Sequence, residues 1–272
     1  MIVPVFIPHL GCPHRCIFCE QEKITSQHRP PMAAPEVRAV IEQALASPRF
    51  SALAENEIAF YGGTFTSLPV ALIRELLEAT APYLDQGLFA GIRISTRPDA
   101  IDPSICDLIA GYRVKTVELG AQSMNDEVLR KSGRGHSAAD TGHAARLLKN
   151  RGFKVGLQIM PGLPGDSEAV FKETVSAIVS IRPEMVRIYP AVVIRGTVLA
   201  RWYLEGRYTP LTLQEAVERC RHACTRFEIE GIRVIRLGLM NSPSLREPGQ
   251  ILAGPWHEAF GHLVKSRIYR SR

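Results

Sequence analysis

Residues 57–78 read EIAFYGGTFTSLPVALIRELLE, and they contain one copy of the unit that the chain repeats. The first five residues form a short β-type run, and a Gly-Gly loop follows them. Leu72, Ile73, Leu76 and Leu77 then recur at spacings of three and four, which is typical of the apolar face of a helix. Strand, loop and helix therefore form one unit, and the chain repeats this unit at least six times.

Six further β-type runs extend this alternation along the chain. They predict parallel strands with right-handed helical crossovers, because a tight hairpin cannot join successive parallel strands. An open or closed α/β barrel is the favoured architecture, and a doubly wound sheet is the alternative. In both folds ligands bind at the carboxyl ends of the strands. The six runs are Ile2–Ile7, Gly91–Ser95, Thr116–Leu119, Val155–Met160, Met185–Tyr189 and Ile232–Leu239.

Composition places the chain among ordinary soluble globular proteins. With 272 residues, 46% of them apolar and 22% charged, disordered, collagen-like and disulfide-scaffold classes are excluded. No apolar run approaches the roughly 18 residues that a membrane span needs. Residues 1–10 carry no basic flank of a secretory signal. We therefore expect a cytoplasmic protein without a membrane partner.

Positive charge is concentrated in the last third of the chain. Residues 182–272 hold 15 Lys and Arg against 8 Asp and Glu, whereas residues 1–181 hold 18 against 19. Two explanations of this asymmetry are about equally good: a surface that binds a polyanion, and a basic face that is simply exposed to solvent. We expect a core barrel over residues 1–240 and a short basic C-terminal extension over residues 241–272 that packs on it.

Three cysteines, Cys12, Cys16 and Cys19, follow the first predicted strand in a C-x3-C-x2-C arrangement. In a cytosolic chain such closely spaced thiols indicate metal or redox chemistry rather than disulfides. Close thiolates repel unless a soft cation holds them, and an iron-sulfur cluster and zinc are the two candidates. In a cluster of four irons, three thiolates leave one iron open to another ligand. For zinc, His14 or His28 is the candidate fourth ligand.

The other three cysteines are predicted to be core residues. Cys106 lies in an apolar helical run, and Cys220 and Cys224 share one apolar helical stripe. His222 points off that stripe, so a metal site is not predicted there.

The cysteine loop, with Phe18 before its last cysteine, resembles the signature of the radical S-adenosylmethionine (SAM) superfamily. This resemblance implies an α/β fold, a partial TIM-type (β/α)6 barrel, that encloses a 4Fe-4S cluster held by Cys12, Cys16 and Cys19. It also implies that the open iron chelates SAM, and that one electron cleaves SAM to a 5'-deoxyadenosyl radical, which abstracts hydrogen from a substrate. A one-electron donor such as flavodoxin or ferredoxin is then a partner.

Three further motifs carry a closer resemblance: Tyr61–Thr66 reads YGGTFT, Val117–Ser123 reads VELGAQS and Arg134–His136 reads RGH. They resemble the subgroup that contains the Elongator catalytic subunit and the oxygen-independent coproporphyrinogen III oxidases. In the superfamily the Gly-Gly turn supplies backbone groups to the SAM amino group. The Gln and Arg of the two later motifs are expected near its ribose and its carboxylate.

Two of the residues expected at SAM depart from related patterns. Thr64 stands where Glu is common, and Gln158 stands where the coproporphyrinogen enzymes carry an Asp. Ser95 and Arg97 follow the third predicted strand and suit the carboxylate or ribose of a nucleoside. The full set expected at SAM is Gly62, Gly63, Thr64, Ser95, Arg97, Glu118, Gln122, Arg134 and Gln158.

Two residues after the sixth predicted strand are candidates for substrate contact. The segment that contains Tyr189-Pro190 and Val193–Thr197 is similar to a Leu-Tyr-Pro…Val-Ile-Arg-Gly-Thr run of the Elongator-like family. Tyr189 and Arg195 would then face the mouth of the barrel. A core aromatic and a loop charge are the equally supported alternatives.

An RNA, in particular a tRNA nucleoside, is the first candidate substrate, because the Elongator subunit modifies wobble uridine in tRNA. Its separate acetyltransferase domain is not expected within 272 residues, so the same overall reaction is not carried over. The alternatives are a radical SAM enzyme for a small metabolite or tetrapyrrole, and a non-catalytic, zinc-stabilised RNA-binding module. Candidate phosphate contacts are Arg233, Arg236, Arg246, Lys265, Arg267, Arg270 and Arg272.

Overall fold

A computed structural model describes residues 1–25 and 32–270. Seven parallel strands form its central sheet, which curls into a half-barrel, and two short strands form a second, antiparallel sheet. The strands are β1 Ile2–Phe6, β2 Glu57–Tyr61, β3 Gly91–Thr96, β4 Val114–Gln122, β5 Lys154–Ile159, β6 Met185–Ile188, β7 Val193–Ile194, β8 Arg233–Leu237 and β9 Ile251–Ala253. The order in the half-barrel is β1-β2-β3-β4-β5-β6-β8.

All seven predicted β-type runs are strands of the half-barrel, and the predicted parallel α/β architecture is confirmed. The fourth strand is longer than the predicted run Thr116–Leu119, because β4 begins at Val114 and continues past Glu118 through Gly120 to Gln122. Glu118, Gly120 and Gln122 interrupt the apolar pattern, yet they are all buried. The inner face of a barrel can bury polar side chains when these side chains have hydrogen-bond partners, so the apolar pattern of a strand can be interrupted there.

Helices lie between successive strands and pack on the sheet: α2 on β1, α7 on β4 and β5, and α10 on β8. They are α1 Gln21–Thr25, α2 Ala34–Leu45, α3 Val70–Glu78, α4 Ala81–Asp85, α5 Pro103–Ala110, α6 Asp126–Lys131, α7 Ala138–Asn150, α8 Glu168–Ile181, α9 Val198–Leu204, α10 Leu213–Ile229, α11 Pro243–Arg246 and α12 Phe260–Arg270. Among the described residues, no helix is long and apolar enough to cross a membrane.

The main hydrophobic core lies between the outer face of the sheet and the helices. Strand residues such as Val5, Ile58 and Ile94 are fully buried there, and their neighbours in sequence point to the inner face, as the two-residue period of a strand requires. Cys106, Cys220 and Cys224 belong to this core, which confirms their predicted role. His222 is only partly buried.

In the described structure several contacts join the last part of the chain to the rest, among them those of α11 with α1 and of α12 with β8. β9 pairs antiparallel with β7, and α12 packs against α10. Arg267 on α12 forms an ion pair with Glu218 on α10.

Candidate active site

A cavity of about 630 Å³ lies inside the half-barrel. Residues from every strand of the central sheet contribute to its lining, together with the loops that follow β1, β2, β3 and β6. The carboxyl ends of parallel strands are the usual place of ligand sites in such folds, as the sequence predicts. The three loop cysteines and most of the residues expected at SAM line this one cavity.

The cysteine loop lies at one end of the cavity. Cys12 Sγ is 3.4 Å from Thr64 Oγ1, and Arg134 Nη1 donates to Cys16 Sγ at 3.1 Å. Burial raises the pKa of Cys12, and burial together with the neighbouring cysteines raises the pKa of Cys19 to about 12. Without a bound cation the thiols of Cys12 and Cys19 therefore stay protonated near pH 7, whereas a soft metal centre would convert them to thiolates.

The arrangement of the cysteines bears on which metal centre fits. A tetrahedral zinc ion with bonds of about 2.3 Å holds its sulfur ligands roughly 3.8 Å apart. Within residues 1–25 and 32–270, no three His, Cys, Asp or Glu side chains converge in a way that could hold a metal ion. Three cysteine side chains that line one cavity are the kind of ligands that an iron-sulfur cluster uses. His14 also lines the cavity, and His28 lies outside the described residues.

The Gly62-Gly63 turn brings the backbone of the β2 end against the cysteine loop. Gly63 has a φ of +58°, and a Cβ atom there would lie 2.2 Å from the Leu10 carbonyl oxygen. The Gly63 N–H donates to Gln21 Oε1 at 2.8 Å. Thr64 is fully buried against Cys12, so the residue that replaces the common Glu supports the cysteine loop.

Three polar side chains in the cavity wall are buried and incompletely paired. The atoms without a hydrogen-bond partner are Arg97 Nη1, Gln122 Oε1 and Arg134 Nε. Arg97 is 4% exposed, and its guanidinium is held by Asp99 at 2.9 and 2.7 Å. Arg134 Nη2 donates to the Gly120 carbonyl at 2.6 Å. Buried unpaired polar atoms cost about 1–3 kcal/mol each, so this wall fits a polar ligand that completes their hydrogen bonding.

Glu118 lies behind the cavity wall and is fully paired. Arg187 donates to both of its oxygens at 2.5 and 2.9 Å, and Arg93 donates at 2.8 Å. Tyr61 and Gln158 add hydrogen bonds at 3.1 and 3.2 Å. Burial alone would raise the pKa of Glu118, but the two guanidinium groups outweigh it and hold this pKa below its usual value. Glu118 is therefore an ionised anchor for the two arginines.

Two family models match this chain. Residues 6–178 match the family model described as "Radical SAM superfamily", and residues 183–270 match the "Radical_SAM C-terminal domain". The chain belongs to the radical SAM superfamily. The fold, with its curled parallel half-barrel, is that of the superfamily's partial TIM barrel, and the superfamily consists of enzymes that use SAM and an iron-sulfur cluster.

The relatives of this radical SAM protein include proteins named as tRNA uridine(34) acetyltransferases and as Elongator complex protein 3, and one that is uncharacterized. A tRNA uridine(34) acetyltransferase from Dehalococcoides mccartyi is 28% identical over 76% of this chain and 52% of its own. An uncharacterized protein from Methanocaldococcus jannaschii is 32% identical over 77% of this chain and 66% of its own. The structure of Methanocaldococcus infernus Elp3, with an N-terminal deletion, matches with a TM-score of 0.77 and 26% identity over 99% of this chain and 62% of that one.

The fold is shared more widely in the radical SAM superfamily. Coproporphyrinogen III oxidase from Escherichia coli matches with a TM-score of 0.61, at 19% identity, over 85% of this chain and 53% of that one. The chain spans between about half and two thirds of the length of the relatives named here.

The two predicted substrate residues have different positions. Tyr189 lines the cavity, and Arg187 Nη1 lies 3.5 Å from its hydroxyl oxygen. Arg195 is not among the described residues that line the cavity, and its Nε donates to the Gly249 carbonyl at 2.6 Å. Its backbone continues the contact between β7 and the segment before β9.

Arg93 and Arg187 were not among the residues predicted for the site, although both line the cavity. The available signal was a single arginine inside each of two apolar strand runs, GIRIST in β3 and MVRI in β6. A charge inside a buried strand needs a counter-charge, and Glu118 in β4 supplies it.

Proposed function

We propose that this radical SAM protein binds a 4Fe-4S cluster through Cys12, Cys16 and Cys19, and that it acts on a nucleoside of RNA, in particular of tRNA. The observation that supports it is that the three cysteines and three buried, incompletely paired polar side chains line one cavity. When bound, the cluster and SAM supply a 5'-deoxyadenosyl radical that abstracts hydrogen from the substrate. A one-electron donor of the flavodoxin or ferredoxin type would deliver the electron.

The chain's own residues have a positioning task in this proposal. Arg134 contacts Cys16 and keeps Nε unpaired, so it can hold the SAM carboxylate beside the cluster. Gln122 and Arg97 offer an amide oxygen and an N–H to the remaining polar groups of SAM. The Gly62-Gly63 turn lets the ligand approach the backbone closely. No general base is needed, and the walls of the half-barrel shield the reaction from water.

The choice of an RNA substrate has two supports. Relatives that match over about three quarters of the chain include a protein named as a tRNA uridine(34) acetyltransferase. The chain also has its positive excess in residues 182–272. The proposal covers the radical step alone, and the acetyl transfer belongs to the relatives that carry that name.

The test is anaerobic reconstitution with iron and sulfide, followed by dithionite and SAM, with 5'-deoxyadenosine as the measured product. The unaltered protein is expected to turn brown and to form the product. Cys16→Ala should lose both the bound iron and the product, because two thiolates no longer hold the cluster. Cys106→Ala, which removes a core thiol, is the matched control and should retain both. If Cys16→Ala still forms 5'-deoxyadenosine, the site assignment is wrong.

A further inference from the structure

Strands β3, β6 and β8 contribute four arginines to the lining of the cavity. Two of them, Arg93 and Arg187, are neutralised by Glu57 and Glu118: Arg93 Nε lies 3.1 Å from Glu57 Oε2, and Arg187 Nη2 lies 2.9 Å from Glu118 Oε1. Two positive and two negative charges therefore cancel in this part of the wall.

The other two arginines, Arg233 and Arg236 on β8, have no such counter-charge. Among the described residues neither forms an ion pair, and the one hydrogen bond of Arg236 goes from Nε to the Gly238 carbonyl at 3.4 Å. Both line the cavity, to whose lining the described part of the chain contributes no Asp or Glu. Strand register places Arg236 beside Arg187 and Arg233 beside Met185.

Like charges repel each other, and the charge of the half-buried Arg236 is screened less than that of Arg233, which is exposed where it lines the cavity. An anion that enters the cavity relieves this repulsion. Guanidinium groups suit phosphate and carboxylate, because their planar N–H donors bind two oxygens at once. The excess of two positive charges thus points to an anionic ligand group.

The SAM carboxylate does not account for this excess. Its proposed partner, Arg134, touches Cys16 at 3.1 Å, at the cysteine end of the cavity. The wall formed by β1, the other edge of the half-barrel, is apolar and contributes Ile2, Pro4 and Phe6. A ligand that fills the remaining space therefore combines an apolar or aromatic body with an anionic group.

We infer that Arg233 and Arg236 form a subsite for a phosphate or carboxylate group of the substrate. The inference deepens the proposed function and rests on it for the use of this cavity by substrate. Two sources of the anionic group are consistent with this chemistry: the backbone phosphate of an RNA strand, and the phosphate or carboxylate of a small molecule.

The test is equilibrium binding to the reconstituted protein under anaerobic conditions, with uridine, uridine 5'-monophosphate and a short RNA stem-loop as probes. The unaltered protein should bind a phosphate-bearing probe more tightly than uridine. Arg233→Gln and Arg236→Gln should each weaken binding of that probe about tenfold, and the double variant about a hundredfold. Arg236→Lys should bind the probe more tightly than Arg236→Gln, because lysine keeps the positive charge. It should bind less tightly than the unaltered protein, because lysine cannot form the bidentate contact of arginine.

The probes separate the two sources, since loss confined to the stem-loop indicates an RNA phosphate and loss with the mononucleotide indicates a small molecule. Arg49→Gln, an exposed arginine that does not line the cavity, is the control and should bind as the unaltered protein does. Equal binding by the double variant and the unaltered protein overturns the inference, as does equal binding of uridine and both phosphate probes.

Formation of 5'-deoxyadenosine by the unaltered protein is measured in parallel. If that product is absent while the double variant still loses phosphate binding, the proposed function fails and the anion subsite stands. If the product forms while the variants bind normally, the subsite alone is wrong.

Discussion

Glu118 illustrates how a single buried residue determines part of the site. It is 1% exposed and holds two guanidinium groups from β3 and β6 in the cavity wall. The sequence predicted Glu118 as a site residue but not its partners. Arg93 and Arg187 are 25 and 69 residues away along the chain, so no local pattern reveals which charges meet.

We predict that Glu118→Gln lowers the free energy of unfolding by about 3–5 kcal/mol, because it leaves two buried guanidinium groups with one counter-charge fewer. Since the pKa of Glu118 is lowered on folding, its stabilisation is present above the ordinary glutamate pKa of about 4.3 and is lost as the pH falls through the lower pKa of the folded state. The difference between variant and unaltered protein should therefore shrink in acid. Urea unfolding at several pH values measures it.

Glu127→Gln is the matched control, because it removes an exposed carboxylate whose ion pairs with Arg130 and Lys131 lie on the surface. Surface pairs contribute little, so no measurable loss is expected. A loss for Glu118→Gln no larger than that of the control would contradict the role of Glu118 as an anchor.

At the scale of elements, the alternation of strands and helices was predictable because each strand's outer face and each helix's inner face must be apolar to form one core. The length of β4 was not predictable from this pattern, because its last residues face a polar cavity. The positions of short connecting elements, such as β7 and β9, depend on pairing between segments about 60 residues apart, which the sequence pattern does not encode.

The Gly62-Gly63 turn after β2 packs against the backbone that leads into the cysteine loop. Gly63→Ala should destabilise the protein and reduce the iron bound on reconstitution, because the new Cβ would lie 2.2 Å from the Leu10 carbonyl oxygen and displace the cysteine loop. Gly87→Ala is the control, with a similar φ of +72° and no atom within 4 Å of the added Cβ. Both variants carry the cost of a left-handed residue, about 1–2 kcal/mol. Thermal unfolding and iron content together should separate them, and equal iron binding would argue against this role of the turn.

At the scale of the whole molecule, the sequence indicated that charge is unevenly placed but not where it faces. Arg233 and Arg236 line the cavity, Arg233 exposed and Arg236 half-buried, whereas Arg246, Lys265 and Arg270 are exposed and do not line it. Charge counting along a chain cannot separate these two groups, because the separation depends on which strand edge each residue joins.

If RNA is the substrate, its affinity should fall steeply with salt, because each neutralised phosphate releases counter-ions. About six phosphate contacts correspond to a loss of roughly a thousandfold between about 50 and 200 mM salt. Lys265→Gln and Arg246→Gln should each reduce the slope of log affinity against log salt by about 1, and Arg49→Gln should not. Filter binding or fluorescence anisotropy measures the slope. An RNA affinity that is absent even at low salt would exclude this substrate class.

The half-barrel stays open because, in the described part of the chain, β1 and β8 each pair with one neighbour only. An unpaired strand edge is a template on which another polypeptide can add a strand, and so promotes self-association. Pro4 lacks an N–H in the middle of β1, and Arg233 and Arg236 place like charges along β8. Like charges along a strand edge oppose the addition of a second copy, so we expect charge-removing variants of β8 to aggregate more readily than the unaltered protein.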